Sequence, residues 1–159
     1  MHAAPYPRNW LLALILALSL AGLADAAYLT AKHYTGGPVP CSITGGCETV
    51  MTSRWAALGG VPTAGFGAAY YLATFFLTIF YLDSRRPWAL TAIFVLSAIG
   101  LAVSLALVYV MAFLLHSFCQ YCLLSDLITA VLFAGALMAL VQRRRAGSDP
   151  ITAARARNA

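Results

Sequence analysis

The sequence predicts an all-α membrane protein built as a bundle of four transmembrane helices, and three observations support this fold class. The 159 residues are 62% hydrophobic and only 9% charged, which is too little charge to keep a soluble domain of this size dispersed. Four apolar blocks are each long enough to cross about 30 Å of hydrocarbon as a helix. None of the blocks alternates polar and apolar residues as a membrane barrel strand does, so helices must satisfy their backbone groups.

The apolar blocks give the bounds of the predicted helices, with spans at about 10–31, 63–82, 88–115 and 119–141. The first block contains the run Ala-Asp-Ala-Ala over 24–27, which also resembles the cleavage site of a signal peptide. Because apolar residues continue past this run through Leu29, we predict that the first helix is retained in the protein.

The connections between the predicted spans differ in length and character. A long polar, glycine-rich loop from Lys32 to Pro62 joins the first two spans, a short turn over 83–87 joins the next two, and almost nothing separates the last two. Residues 1–142 are therefore expected to form one four-helix transmembrane domain. The basic segment 143–159 is expected to be a disordered cytoplasmic tail.

Basic residues cluster at the ends of the spans, and their distribution predicts the orientation of the bundle. Arginine and lysine favour the cytoplasmic side of a membrane. One end has only Lys32 and Arg54, whereas the other has six arginines: Arg8, Arg85, Arg86, Arg143, Arg144 and Arg145. We predict a multi-pass protein of the cell inner (plasma) membrane with both termini in the cytoplasm and the long loop outside. This clustering argues against nucleic acid binding, which needs a basic stripe.

Cys119 and Cys122 form a CxxC motif at the predicted start of the fourth span, after a helix that ends at Phe118. A helix N-terminus stabilises a thiolate and lowers its pKa, as thiol–disulfide oxidoreductases require. We expect Cys119 at the aqueous edge, open to attack, and Cys122 one turn deeper. A structural disulfide and a zinc half-site are the alternatives, although the spacing of Cys41 and Cys47 is unusual for zinc.

Cys41 and Cys47 lie in the long loop, which the predicted orientation places in an oxidising compartment where disulfides persist. Gly45 and Gly46 allow the chain to turn back, so these two cysteines can pair. The same flexibility predicts a mobile outer pair that exchanges with a fixed inner pair through mixed disulfides. The alternative is a loop that is held by a purely structural disulfide. The three possible pairings of four cysteines stay open.

Electrons that reach the CxxC motif need an acceptor in the bilayer. The chain has no Rossmann glycine motif and no CxxCH haem motif, whereas a lipid-soluble quinone suits an apolar bundle that is open to lipid. The candidate wall residues lie on the outer half of the protein: Trp55, Phe66, Tyr70, Met111, Leu115 and Tyr121. Aromatic residues also gather at bilayer interfaces and methionine also fills cores without any ligand. Three titratable residues lie near the same level: His116, Asp25 and Asp126. His116 could donate or accept a proton and the two carboxylates could be functional, and the alternative is that all three are simply hydrated.

Several motifs occur in a characteristic order between about Trp10 and Leu140. They are Cys41-x5-Cys47, Thr52-Ser53-Arg54-Trp55, Gly60-Val61-Pro62-Thr63, Phe66-Gly67-x-x-Tyr70 and Cys119-x-x-Cys122. This order resembles the vitamin K epoxide reductase family, and its bacterial members in particular. The resemblance implies a four-helix bundle around a quinone, with the long extracytoplasmic loop capping it.

The resemblance also implies a role for each cysteine. Cys41 meets a thioredoxin-fold partner, Cys47 exchanges with Cys119, and Cys122 reacts with the quinone and forms part of its site. Ser53 matches the loop serine or threonine that the family places near its active site. Since no thioredoxin-like domain is fused here, the partner is expected to be a separate periplasmic protein, DsbA-like or otherwise of the thioredoxin fold.

The residues and the resemblance together predict a quinone-dependent thiol–disulfide oxidoreductase that drives disulfide bond formation with ubiquinone or menaquinone as acceptor and no metal. Ser125-Asp126 and Thr63 stand where vertebrate members have Thr-Tyr and asparagine, so vitamin K epoxide chemistry is not implied. A DsbB-type quinone reductase shares this chemistry but has its CxxC in the first external loop. The alternative from another class is a non-catalytic tetraspan scaffold with structural external disulfides.

Overall fold

The computed structural model of the chain describes residues 9–148, with side chains described as far as Arg145, and four long helices run through this part. They are α1 (Asn9–Thr35), α3 (Thr63–Ser84), α4 (Pro87–Tyr109) and α5 (Gln120–Ser148). Each lies in a helical stretch that is long and apolar enough to cross a membrane, which confirms the predicted all-α four-helix fold class. Large apolar side chains such as Leu105 and Val95 point outward, as expected for helices that face lipid.

Three helices extend beyond their predicted ends, α3 by two residues to Ser84 and α1 and α5 by more. α1 continues to Thr35 and ends at Gly36, whose φ of +65° suits glycine and whose N–H donates to the Lys32 carbonyl. α5 continues to Ser148 through the arginine run, because arginine is a good helix former. The expectation of disorder is therefore wrong for residues 143–148, while residues 149–159 lie outside the described part of the chain.

The helices pack as an antiparallel bundle in which α1 contacts α3 and α5, and α4 contacts α5 and α3. Each end of the bundle is therefore built from alternate helix ends. The start of α1, the α3–α4 turn and the second half of α5 form one end, which we call the arginine end. Its core is closely packed and consists of Leu12, Tyr81, Ala89, Leu90, Ile93, Ala136 and Ala139. Arg8, which the predicted orientation used, lies outside the described residues.

The opposite end, which we call the cysteine end, contains the end of α1, the loop 36–62, the end of α4 and the start of α5. Its buried core consists of Leu29, Val39, Cys47, Met111 and Cys119. The long loop is not featureless, because it includes a short helix α2 (Cys47–Met51) and a two-stranded hairpin of β1 (Ala57–Leu58) and β2 (Val61–Pro62).

The hairpin and the loop before it are held by specific backbone geometry. Gly59 and Gly60 have φ values of +60° and +85°, which a tight type I′ hairpin turn requires at both central positions. Gly46 lies so close to the Phe118 backbone that an added Cβ would come within 2.7 Å of its carbonyl oxygen. The Ile43 N–H donates to the Gln120 side-chain oxygen. The loop therefore lies directly against the segment that leads into α5.

The connection between α4 and α5 differs from the prediction. α4 passes into a π-helical turn at Val110–Leu114, and the chain then reverses at His116, whose φ is +48°. The Ser117 N–H donates back to the Met111 carbonyl. Histidine is one of the few non-glycine residues that is enriched in this left-handed region. The predicted helix end at Phe118 is therefore wrong, and residues 115–119 form a short irregular segment before α5.

Candidate redox site and adjoining cavity

The outer cysteine pair forms a disulfide between Cys41 and Cys47, with their Cα atoms 5.8 Å apart. Cys41 is half-buried and its sulfur contacts the Thr44 hydroxyl, whereas Cys47 begins α2 and is fully buried. Cys47 lies in the core beside Gly46 in this structure, while the mobility of the outer pair stays a prediction. Of the two sulfur atoms, that of Cys41 is the one an external thiolate can reach.

The inner pair consists of the free thiols of Cys119 and Cys122. Cys119 precedes α5 rather than lying in its first turn, and its sulfur accepts the Cys122 N–H at 3.3 Å, as an N-cap side chain does. The two sulfur atoms are in contact at 2.6 Å, with the Cys122 thiol donating to Cys119. The pair is therefore already arranged to close a disulfide.

Of the two inner cysteines, Cys122 rather than Cys119 is the more exposed, which is the reverse of the sequence prediction. Cys119 is fully buried, while Cys122 is half-buried and faces a cavity inside the bundle. The expectation that Cys119 lies open at the aqueous edge is wrong, because the loop around Gly46 packs over the segment that ends at this cysteine. Access to Cys119 from outside requires the loop to move.

The electrostatic surroundings of Cys119 stabilise its thiolate. The hydrogen bond from the Cys122 thiol is the main cause that lowers the pKa of Cys119, and the backbone N–H groups of Cys122 and Tyr121 lower it further. Burial acts in the opposite direction, and so does the negative charge of Asp25. The contribution of the two backbone N–H groups is the one that the position before a helix N-terminus predicts, whereas the larger contribution, from the Cys122 thiol, was not part of that prediction.

All four cysteines are brought together at the cysteine end. Cys47 and Cys119 are both core members of one packed cluster, and Cys41 and Cys122 pack against that cluster. Met111 and Leu29 fill the space around them. The sequence placed the two pairs on the same side of a bilayer, and the tertiary structure adds that the buried members of the two pairs share one core.

A cavity of about 580 Å³ opens beside Cys122, between α3 and α4 and beneath the loop. This volume lies within the range of pockets that hold small organic ligands. It is lined by Ser53 and by the predicted quinone-site residues Trp55, Phe66, Tyr70, Met111, Leu115 and Cys122. Tyr121 is not among the lining residues and packs instead against Tyr28, with ring centroids 5.4 Å apart.

The side of the cavity between α3 and α4 opens toward the surroundings of the bundle. Phe66, Ile99 and Val103 line it and are 52%, 57% and 52% exposed. In a bilayer this rim faces lipid, so an apolar molecule dissolved in the membrane can enter from the side. Tyr70 packs directly over Gly100, where an added Cβ would come within 2.8 Å of the tyrosine ring.

The loop side of the cavity is closed by Trp55 and its neighbours. The Arg54 guanidinium lies 5.1 Å from the centre of the Trp55 ring, and the Thr63 hydroxyl donates to the Trp55 carbonyl. The Ser53 hydroxyl donates to the Val50 carbonyl at the end of α2. Ser53 thus shapes the loop in addition to lining the cavity.

Sequence reasoning missed a polar cluster on the inner wall. The Tyr71 hydroxyl is within 2.8 Å of the carbonyl and the hydroxyl of Ser125 and 3.0 Å from the Thr129 hydroxyl. Asp126 lines the same cavity. Its position one helical turn after Cys122 is the sequence feature that could have placed it beside this thiol. The other titratable residues singled out, His116 and Asp25, do not line the cavity.

Among the described residues, no group of three or more His, Cys, Asp or Glu side chains is placed to hold a metal ion. A comparison with protein families gives one match for this chain. The model for "Vitamin K epoxide reductase family" matches residues 13–137, which is most of the chain and includes all four cysteines and the cavity.

Proposed function

Because this chain belongs to the vitamin K epoxide reductase family, we propose that it passes electrons from a separate periplasmic thioredoxin-fold protein to a membrane quinone and thereby drives disulfide formation. The family is one of membrane thiol–disulfide oxidoreductases, so the chain is a redox enzyme in a membrane. The observation that carries the proposal is that Cys122 joins the inner thiol pair to a 580 Å³ cavity with a lipid-facing rim.

The proposed setting is the cell inner (plasma) membrane, with both termini in the cytoplasm and the cysteine end outside. The support is the charge distribution, since Arg85, Arg86 and the arginines of 143–145 all belong to the arginine end. This orientation places the loop in an oxidising compartment, where it caps the bundle and meets a DsbA-like partner.

Electron transfer starts at the outer pair. A thiolate of the partner attacks the Cys41 sulfur, a mixed disulfide forms and Cys47 leaves as a thiolate. The second partner thiol then attacks the mixed disulfide, so that the partner is oxidised and the outer pair is reduced. The exposure of Cys41 and the burial of Cys47 support this order of attack.

The electrons then move to the inner pair. Cys47 attacks Cys119 in the Cys119–Cys122 disulfide, and Cys41 resolves the resulting Cys47–Cys119 bond, which reduces the inner pair and restores the outer disulfide. An oxidised outer pair beside two inner thiols is the arrangement seen in the structure, and it corresponds to the stage that precedes quinone reduction. A quinone, ubiquinone or menaquinone, accepts two electrons and two protons as the inner pair closes again.

The experiment is quinone-dependent reoxidation of a reduced periplasmic thioredoxin-fold protein by the purified enzyme, compared across the four single Cys→Ala variants. All four variants should lose turnover. Cys122→Ser should still accept a mixed disulfide with the partner yet leave the quinone oxidised, with activity reduced by more than about 10³-fold, since the group that faces the acceptor is gone. Normal turnover by Cys122→Ser would refute the electron path.

A further inference from the structure

Asp126 is a carboxyl group inside the membrane-spanning part of α5 that the electron path does not use. It lies four residues after Cys122, so the two side chains are neighbours on one helix face, about 6 Å apart along the axis. Both line the same cavity. The Oδ2 atom of Asp126 is buried and has no hydrogen-bond partner among the side chains described for residues 9–145.

A carboxyl oxygen without a partner is costly in an apolar cavity within a bilayer, and such residues commonly mark proton or ion pathways. Ser104 faces the carboxyl from α4, while the Tyr71 hydroxyl is already engaged with Ser125 and Thr129. One oxygen of Asp126 is therefore left free toward the space beside the reactive thiol.

The reaction needs a proton carrier at this place. Closing the Cys119–Cys122 disulfide releases two electrons and two protons, and reduction of a quinone to a hydroquinone consumes two of each. Besides Asp126, the polar lining near Cys122 consists of the hydroxyl groups of Tyr71, Ser104, Ser125 and Thr129, and the end of α1 adds His33. Hydroxyl groups can relay a proton but do not ionise near neutral pH, so Asp126 is the carboxyl beside Cys122 that can store one.

We propose that Asp126 is the proton-transfer residue for the quinone step, an inference that rests on the proposed function. The protonated carboxyl of Asp126 gives its proton to a quinone oxygen as the two electrons leave the thiol pair. The carboxylate then takes up the proton that the Cys122 thiol releases when the S–S bond forms. The second proton comes from the Cys119 thiol, so atoms and charge balance and Asp126 ends as it began.

Asp25 on α1 provides a matched control. It is also a carboxyl within a membrane-spanning helix, and it has a buried oxygen without a partner among the described residues. Unlike Asp126, it does not line the cavity. Loss of a buried carboxyl and loss of a proton donor at the cavity are therefore separable.

The test uses the full-length enzyme with its inner pair reduced, mixed with a soluble short-chain quinone in a single turnover and followed by quinone absorbance. Asp126→Asn should slow quinone reduction by about 100-fold, the usual contribution of a positioned acid. The rate of quinone reduction by Asp25→Asn should stay within about threefold of the wild-type rate, and Asp126→Glu should keep at least a tenth of the wild-type rate. Thiol exchange with the thioredoxin-fold partner should be unchanged in all three variants.

A second variant, Asp126→Ala, opens space for a small acid, and added formate should restore part of its rate. This rescue also shows that the variant is folded. A wild-type rate in Asp126→Asn, an equal loss in Asp25→Asn, or a defect abolished at saturating quinone would each overturn the proton-transfer role. Failure of the proposed function looks different, because the wild-type enzyme itself would then leave the quinone oxidised.

Discussion

The two ends of the bundle are built from the same four helices yet differ in their packing, in the length of their connections and in the presence of a cavity. The arginine end is closed, with Tyr81, Leu90 and Ile93 fully buried in close contact and a two-residue turn between α3 and α4. The cysteine end contains a 27-residue loop, a π-helical turn, a core that includes Cys47 and Cys119, and a 580 Å³ cavity. One end holds the helices together, and the other leaves space and reactive groups between them.

This difference shows how a small membrane protein can combine rigidity with exchange chemistry. In lipid, helices associate through close packing rather than through the hydrophobic effect, so a well-packed end must stabilise the whole bundle. That packing allows the other end to keep a cavity and a long loop. Stability and reactivity should therefore respond to different substitutions.

The largest expected effect on stability is at the arginine end. Leu90→Ala removes a fully buried side chain from its core, and we expect the free energy of unfolding in mixed detergent micelles to fall by about 2–4 kcal/mol. Activity per folded molecule should not change, because Leu90 is far along α4 from the cavity. The matched control is Leu105→Ala on the same helix, which is 62% exposed and should change stability by less than about 0.5 kcal/mol. Equal losses from the two variants would contradict the contrast between packed and lipid-facing positions.

A smaller effect is expected where the loop meets the cysteine end. In Gly46→Ala the new methyl group meets the Phe118 carbonyl oxygen, which belongs to the backbone and cannot rotate away. The free energy that favours the position of the loop against Phe118 should fall by about 1.4 kcal/mol, so a maleimide should label Cys119 about tenfold faster. Mass spectrometry of the labelled peptide measures this rate. Gly37→Ala, whose nearest neighbour is the flexible end of Lys32 at 3.4 Å, should leave the rate unchanged.

The smallest effect concerns the ionisation of the inner pair. The hydrogen bond from Cys122 is the main cause that lowers the pKa of Cys119, so in Cys122→Ala the Cys119 thiolate should form at higher pH than in the wild type. Ultraviolet thiolate absorbance measures the titration, with Cys119→Ala as the blank that assigns the signal. Equal titration midpoints of Cys119 in the wild type and in Cys122→Ala would show that burial, rather than the hydrogen bond from Cys122, controls the pKa of Cys119.

Much of the architecture could be predicted from the sequence because hydrocarbon imposes simple requirements. The four spans follow from apolar length alone, and α3 begins at Thr63, in agreement with the predicted start at about residue 63. The CxxC motif and its neighbours predicted the family correctly. Five of the six wall residues chosen by their level on the outer half line one cavity, because the loop, α3 and the end of α4 meet there, whereas Tyr121 packs elsewhere.

The exposure of individual sulfur atoms depended on the tertiary structure. Cys119 was expected to be open because it lies at the polar end of an apolar segment, and Cys47 was expected to be mobile because glycines precede it. Both are buried, since Gly46 allows the loop backbone to approach Phe118 more closely than any side chain would permit. A contact between segments about 70 residues apart has no signature in local composition.

The sequence by itself determined how many helices are long and apolar enough to cross the membrane, where each begins within a few residues, and to which family the chain belongs, because these properties depend on local hydropathy and on the order of short motifs. Only the tertiary structure decided which sulfur atom is reachable, which thiol faces the cavity and which carboxyl lies beside it. Those properties depend on how α1, α3, α4 and α5 pack and on where the loop lies across them. Such packing is fixed by close contacts between distant parts of the chain.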